Sequence, residues 1–275
     1  MSYLSISTWS LHRLLGPLRW TEWDAAAGTH KTRVQSQPQI LTLLDLPAEA
    51  ARRGYRALEV CHFHFPSTET TYLEKLRQSF SAAGLTFDTL LLDYGDLTTI
   101  DEARLEADQD LFRHWIDIAS LAGAKNIRII AGDASPSNKD AVRNSAAALC
   151  ALADYASGHG VRVITENFHS LTSTGESCAS LMQQTEGKVG MITDFGNFNL
   201  PSKYDEFAIT LPHSVSVHAK ADYDPDGMPD EAEYRRCLDT MKASGYNGPV
   251  VLIYDGPDDM WEGLERIRRI VEPYL

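Results

Sequence analysis

Short, continuously apolar runs recur along this chain, and the segments between them carry helical punctuation. Eight runs read as strands: Leu4–Ser10, Ala57–His62, Thr86–Leu92, Asn126–Ala131, Val161–Glu166, Gly190–Asp194, Ser214–His218 and Pro249–Tyr254. Most are apolar on both phases of the strand alternation, as expected of parallel strands covered by helices. Helical stretches lie between them at Leu46–Gly54, Ser67–Gly84, Asp101–Gly123, Lys139–Gly160, Glu176–Glu186, Asp230–Gly245 and Asp258–Tyr274. The first has Pro47 near its start and glycine as its stop, and the third carries the amphipathic run LFRHWIDIASLAGA. This alternation predicts a (β/α)8 TIM barrel, closed so that no strand edge remains, forming one domain over residues 1–275.

One segment breaks the rhythm. Residues 11–45 separate the first strand from its helix by far more than an ordinary loop. The segment holds His12, Trp20, Trp23, His30 and the polar tract GTHKTRVQSQPQ. It reads either as a lid over the barrel mouth or as a decorative or oligomer-forming insertion.

The strand ends carry the candidate chemistry. Glu166 closes VRVITEN, Asp194 closes VGMITDFGN and His218 lies near the end of SVSVHAK. In a parallel barrel the C-terminal strand ends converge on one face. Alternation places Ile164 with Glu166, Ile192 with Asp194, and Ser216 with His218 and Lys220 on inward faces, while Val215, Val217 and Ala219 face the helices. Two carboxylates and an imidazole together suit a divalent cation such as Mn, Mg, Co or Zn. Taken singly, each is equally an ordinary loop residue or a helix cap. Asp255 lies two positions past Ile253 on the same phase and is a further candidate ligand from higher in the mouth. Lys220 is a candidate for proton transfer if burial lowers its pKa, or else a structural ion-pair partner of a barrel carboxylate. Asn167, His169 and Asn197 flank the metal candidates and suit hydroxyl binding or support of the ligands. Trp9, Phe63, Phe168 and Phe195 are candidates for an apolar wall.

Charge and composition narrow the partners. Acidic residues outnumber basic ones 38 to 25, a formal charge of −13, and no Lys/Arg block appears, so a nucleic-acid partner is not expected. No run approaches the roughly 18 apolar residues of a membrane span, and MSYLSIST lacks the pattern of a secretory signal. Cys61, Cys150, Cys178 and Cys237 are scattered and read as reduced thiols, consistent with a cytoplasmic protein.

The phrases GYRALEV, AGAKNIRII, TEN, TDFGN, VHAKAD and GYNGPVVLIYDG, in this order from about residue 47 onward, resemble the xylose isomerase-like TIM barrels. That group includes sugar-phosphate isomerases and epimerases, ketose 3-epimerases and one type of AP endonuclease. The resemblance implies a metal held by Glu166, Asp194 and His218, with a fourth glutamate where this chain has Ile253. It also implies a substrate-contacting histidine at the end of the second strand, where His62 is preferred over His64. In the family's epimerases the two glutamates exchange protons with the carbon beside the carbonyl, one from each face, and isoleucine can do neither. The resemblance therefore implies an isomerase or epimerase of a small sugar-like substrate, with Glu166 as base and Lys220 or a histidine in place of the second glutamate. The alternatives are a metal-dependent lyase on the same scaffold and a non-catalytic sugar-binding barrel. Homo-oligomers are common in the family, whereas its DNA-repair branch needs more His and Glu ligands than this chain offers.

Overall fold

The computed structural model describes residues 1–275. Eight parallel strands close a barrel: β1 (Tyr3–Ser7), β4 (Ala57–Cys61), β5 (Thr86–Leu91), β6 (Asn126–Arg128), β7 (Arg162–Glu166), β8 (Gly190–Asp194), β9 (Ser214–Lys220) and β10 (Pro249–Ile253). They pair in sequence order, and β1 closes the ring between β4 and β10. The ring is covered by α1 (Leu46–Arg52), α2 (Thr70–Ala83), α3 (Glu102–Ala122), α4 (Lys139–Ser157), α5 (Gly175–Gln184), α6 (Lys203–Thr210), α7 (Glu231–Ala243) and α8 (Met260–Val271). The fold is the (β/α)8 barrel.

Local signals account for most of the helix ends. Asp101 accepts hydrogen bonds from the backbone N–H groups of Ala103 and Arg104, and Asp230 and Asp259 cap α7 and α8 in the same manner. Helix α6 was not anticipated. Its eight residues, KYDEFAIT, are too few to show a helical period, and tertiary packing of the buried Phe207 and Thr210 holds it in place.

The 11–45 segment is folded rather than loop-like. Leu18–Asp24 (β2) and Thr29–Gln35 (β3) form an antiparallel hairpin. Apart from the buried Leu18, every residue of the two strands is at least partly exposed and most are polar, so they lack the apolar pattern that marks a buried strand. One anchor of the hairpin is the fully buried Asp108 of α3. Its Oδ1 meets His30 Nε2 at 2.8 Å and accepts from Tyr94 Oη–H at 2.9 Å, while its Oδ2 accepts from the Asp96 N–H at 3.1 Å.

Two β-bulges reset the phase of the barrel interior. Leu58 pairs with Phe87 but Glu59 pairs with Thr89, which leaves Asp88 as the extra residue of β5. Met191 pairs with Ser214 but Ile192 pairs with Ser216, which leaves Val215 extra on β9. A bulge sets two consecutive side chains on related faces. Val215 accordingly packs with the interior group of Ile164 and Ile192, not against the helices as strict alternation predicts. Gly190 makes this fit, because a Cβ there would lie 2.9 Å from Ile164 Cγ2 and 3.0 Å from Val215 Cγ2. Outside the ring, Val60, Leu90, Ile127, Val163, Met191, Val217 and Leu252 pack on the helices as the main core.

Candidate metal centre and cavity

Glu166, Asp194 and His218 end β7, β8 and β9, and one potential ligand atom from each lies within 4.8 Å of the others. His218 Nδ1 is 3.5 Å from Glu166 Oε1 and 3.4 Å from Asp194 Oδ2. All three residues are buried, and strand alternation alone sets their inward phase. Burial acts to lower the pKa of His218, but the charges of Glu59 and Glu166 and a hydrogen bond with Asp194 outweigh it and leave the imidazole well above its ordinary value.

The sequence reading missed two charged residues in contact with this cluster. Glu59 of β4 is 0% exposed, and its Oε2 lies 2.7 Å from His218 Nε2 while its Oε1 accepts from Ser216 Oγ–H at 3.3 Å. Arg128, the last residue of β6, places Nε 3.1 Å from Glu166 Oε2 and forms a second ion pair with Asp93. Burial opposes the Arg128 charge, but Asp93 and Glu166 more than compensate and raise its pKa. The available signal was a charged residue inside an apolar run, in RALEV and in KNIRII.

The donor set suits a divalent cation. Three buried carboxylates, Glu59, Glu166 and Asp194, face one imidazole and one guanidinium, and that guanidinium is shared with Asp93. Buried anions in excess of their partners are costly, and a divalent cation among Glu166, Asp194 and His218 relieves that excess. Glu166 Oε2 is also buried without a well-aligned hydrogen bond.

Above the cluster opens a cavity of about 320 Å³. Trp9, Trp20, Phe63, Phe168, Leu91 and Ile253 form apolar walls, and Asp93, Arg128, His169, Asn197 and Lys220 add polar groups. Trp20 comes from the hairpin and packs on Phe63 with ring centroids 4.4 Å apart. The hairpin thus forms part of the cavity wall. Gly196, in TDFGN, leaves room for the Lys220 stem: a Cβ there would lie 2.8 Å from Lys220 Cδ.

Several expected site residues sit elsewhere. Asp255 is not with the three converging side chains; its Oδ2 is 2.7 Å from Lys220 Nζ. That pairing also decides Lys220. Burial acts to lower its pKa, but the hydrogen bond to Asp255 and the charges of Asp194, Asp255 and Glu166 raise it, so Lys220 is a held ammonium rather than a neutral base. Neither His62 nor His64 lines the cavity. Strand β4 stops at Cys61 and the chain turns into a short 3-10 helix, which points Phe63 inward instead. His62 Nδ1 accepts from the Asp93 N–H, and its Nε2 meets Thr21 Oγ1 at 3.3 Å; burial, only partly opposed by Asp93, pushes its pKa down to about 4. His64 Nδ1 meets Thr8 Oγ1 at 2.9 Å, and burial pushes it down to about 3. Asn167 does not line the cavity; it clamps the Asp194 backbone, accepting from its N–H and donating to its carbonyl. Asn197 Nδ2 donates to Glu166 Oε1 at 3.2 Å, and His169 Nδ1 meets Asp133 Oδ1 at 2.6 Å at the rim. Phe195 is in the helix-facing core against Phe207, not in the wall.

The family model for xylose isomerase-like TIM barrels matches residues 47–270. The chain belongs to this family. No curated protein matches it by sequence. Among solved structures, an L-ribulose 3-epimerase aligns over 100% of this chain and 96% of its own, with a TM-score of 0.71 at 16% identity. The IOLI protein with a bound zinc atom aligns over 99% of each chain, with a TM-score of 0.71 at 15% identity. A probable 3-DHS dehydratase, AsbF, from Bacillus anthracis also aligns over 99% of each chain, with a TM-score of 0.69 at 14% identity. At these identities the likeness speaks for the fold. No helix of the chain is long and apolar enough to cross a membrane.

Proposed function

We propose that this family member is a metal-dependent enzyme that moves a proton at the carbon beside the carbonyl of a small sugar or sugar-derived substrate. The observation that carries this reading is the buried convergence of Glu166, Asp194 and His218 within 4.8 Å under a cavity of about 320 Å³. Those three side chains are the proposed ligands of a divalent cation, which when bound polarises a substrate carbonyl and stabilises negative charge developing on its oxygen.

The remaining steps fall to the chain's own groups. Glu166 takes the proton from carbon, and Asn197 and Arg128 hold its carboxylate in place. Lys220, kept protonated by Asp255, supplies a proton from a second position on the cavity wall. Trp9, Trp20, Phe63 and Phe168 exclude water and offer flat apolar surfaces to the carbon face of a sugar. Epimer or isomer formation follows when Lys220 protonates carbon.

One observation favours a second reading. Ile253, 4% exposed, lines the cavity where the family pattern has a carboxylate, so the second proton-transfer group on the wall is the Lys220 ammonium rather than a second glutamate. The same pair serves elimination, with Glu166 removing the carbon proton and Lys220 protonating a departing hydroxyl. A panel of ketoses and keto-sugars in heavy water, supplied with Mn or Co, separates the readings. Deuterium at carbon with an epimeric or isomeric product supports the first, and loss of water with an unsaturated product supports the second. In both cases Glu166→Gln should slow turnover by roughly 10²–10⁴-fold. Turnover equal to that of the unaltered protein would remove Glu166 as the base.

A further inference from the structure

We propose that Glu59 is a positioning residue: its buried carboxylate fixes the ring of His218 with a proton on Nε2, so that Nδ1 is the nitrogen presented to Glu166 and Asp194. The inference rests on the metal reading above only for its consequence, not for its geometry.

Four observations support it. Glu59 is 0% exposed within the barrel, where an uncompensated carboxylate is costly. Its Oε2 is 2.7 Å from His218 Nε2, a pairing 159 residues apart in sequence. Its Oε1 accepts from Ser216 Oγ–H at 3.3 Å, which sets the rotation of the carboxylate from the strand that carries His218. Finally, the opposite ring nitrogen, Nδ1, is the one that lies 3.5 Å from Glu166 and 3.4 Å from Asp194. A histidine whose far N–H is held by a carboxylate has a fixed tautomer and ring orientation, and it is a better donor through its near nitrogen.

The bulge at Asp88 falls at this same point. The extra residue belongs to β5, and Glu59 itself faces inward with Cys61 by the regular alternation of β4, opposite in phase to Leu58 and Val60. Glu59 has no place on the cavity wall and so no part in touching substrate. Its role is exerted through His218.

Glu59→Gln keeps the shape and removes the charge; Ser216→Ala removes only the second hydrogen bond to the carboxylate. Mn and Co binding is measured by calorimetry on chelator-stripped protein. Proton NMR of the metal-free, 15N-labelled protein follows the slowly exchanging, far-downfield Nε2–H of the His218 ring, told from its Nδ1–H by nitrogen correlation. The expected result for Glu59→Gln is an affinity loss of about 10–100-fold, with the ring N–H signal moved upfield or lost, and a smaller loss for Ser216→Ala. Affinity within twofold of the unaltered protein, together with an unchanged ring N–H signal, would overturn the proposal. If the unaltered protein takes up no metal, the proposed function fails. The ring signal then still decides the positioning role, because it is read without metal.

Discussion

Replacing Asp88 with asparagine should stabilise this barrel at neutral pH. Asp88 is the extra residue of the β5 bulge; it is 6% exposed, and its side chain accepts one hydrogen bond, from Thr89 Oγ1–H at 3.2 Å. Burial, followed by the negative charge of Glu59, pushes its pKa from 3.8 up to about 6, with Thr89 and Lys125 opposing. The sign follows from proton uptake. Below pH 3.8 the group is protonated whether the chain is folded or not, and it contributes no difference. Between 3.8 and about 6 the unfolded chain releases the proton while the folded chain keeps it, so stability falls as pH rises. Above about 6 the full penalty stands. At about 1.4 kcal/mol for each unit of displacement, it amounts to at most about 3 kcal/mol. Asparagine has nearly the same shape and cannot ionise. The assay is urea unfolding of chelator-stripped protein across pH 4 to 8, comparing the unaltered protein with Asp88→Asn at each pH. The variant's advantage should grow from near zero at the acid end to between about 1 and 3 kcal/mol at neutrality. An advantage that does not change with pH, or a variant less stable at neutral pH, would refute the reasoning.

Three further outcomes are expected. Ile253→Glu adds a fourth carboxylate to the cavity, so the metal-free protein should lose about 3–5 kcal/mol, and excess Mn should restore more melting temperature than it does for the unaltered protein. Lys220→Met should lower turnover by roughly 10²–10⁴-fold while leaving metal content by elemental analysis unchanged, and loss of metal would show a structural role instead. Asp108→Asn weakens one anchor of the hairpin by about 1–3 kcal/mol, so hydrogen exchange should quicken over Leu18–Gln35 and leave the barrel strands protected.

Strand alternation, helix caps and the βα spacing are local properties, and they determined the barrel from the sequence alone. The same local rule brought Glu166, Asp194 and His218 to one face, because each stands at an inward phase near a strand end, two positions past the inward Ile164, Ile192 and Ser216 respectively. The family phrases determined that Ile253 would stand where a carboxylate is usual. What only the tertiary structure decided depends on departures from local regularity and on distant partners. Bulges re-aimed Asp88 and Val215, and a 3-10 turn after Cys61 buried His62 and His64 and put Phe63 in the cavity. The hairpin was hidden because its strands are stabilised by pairing and by Asp108, not by an apolar pattern. Lys220 could not be read as acid or base until Asp255 was found beside it, since the environment, not the residue type, sets the charge of a buried lysine. Glu59 was legible only as an odd charge in an apolar strand, and its partner lies 159 residues away across the barrel, a contact that no window of sequence contains.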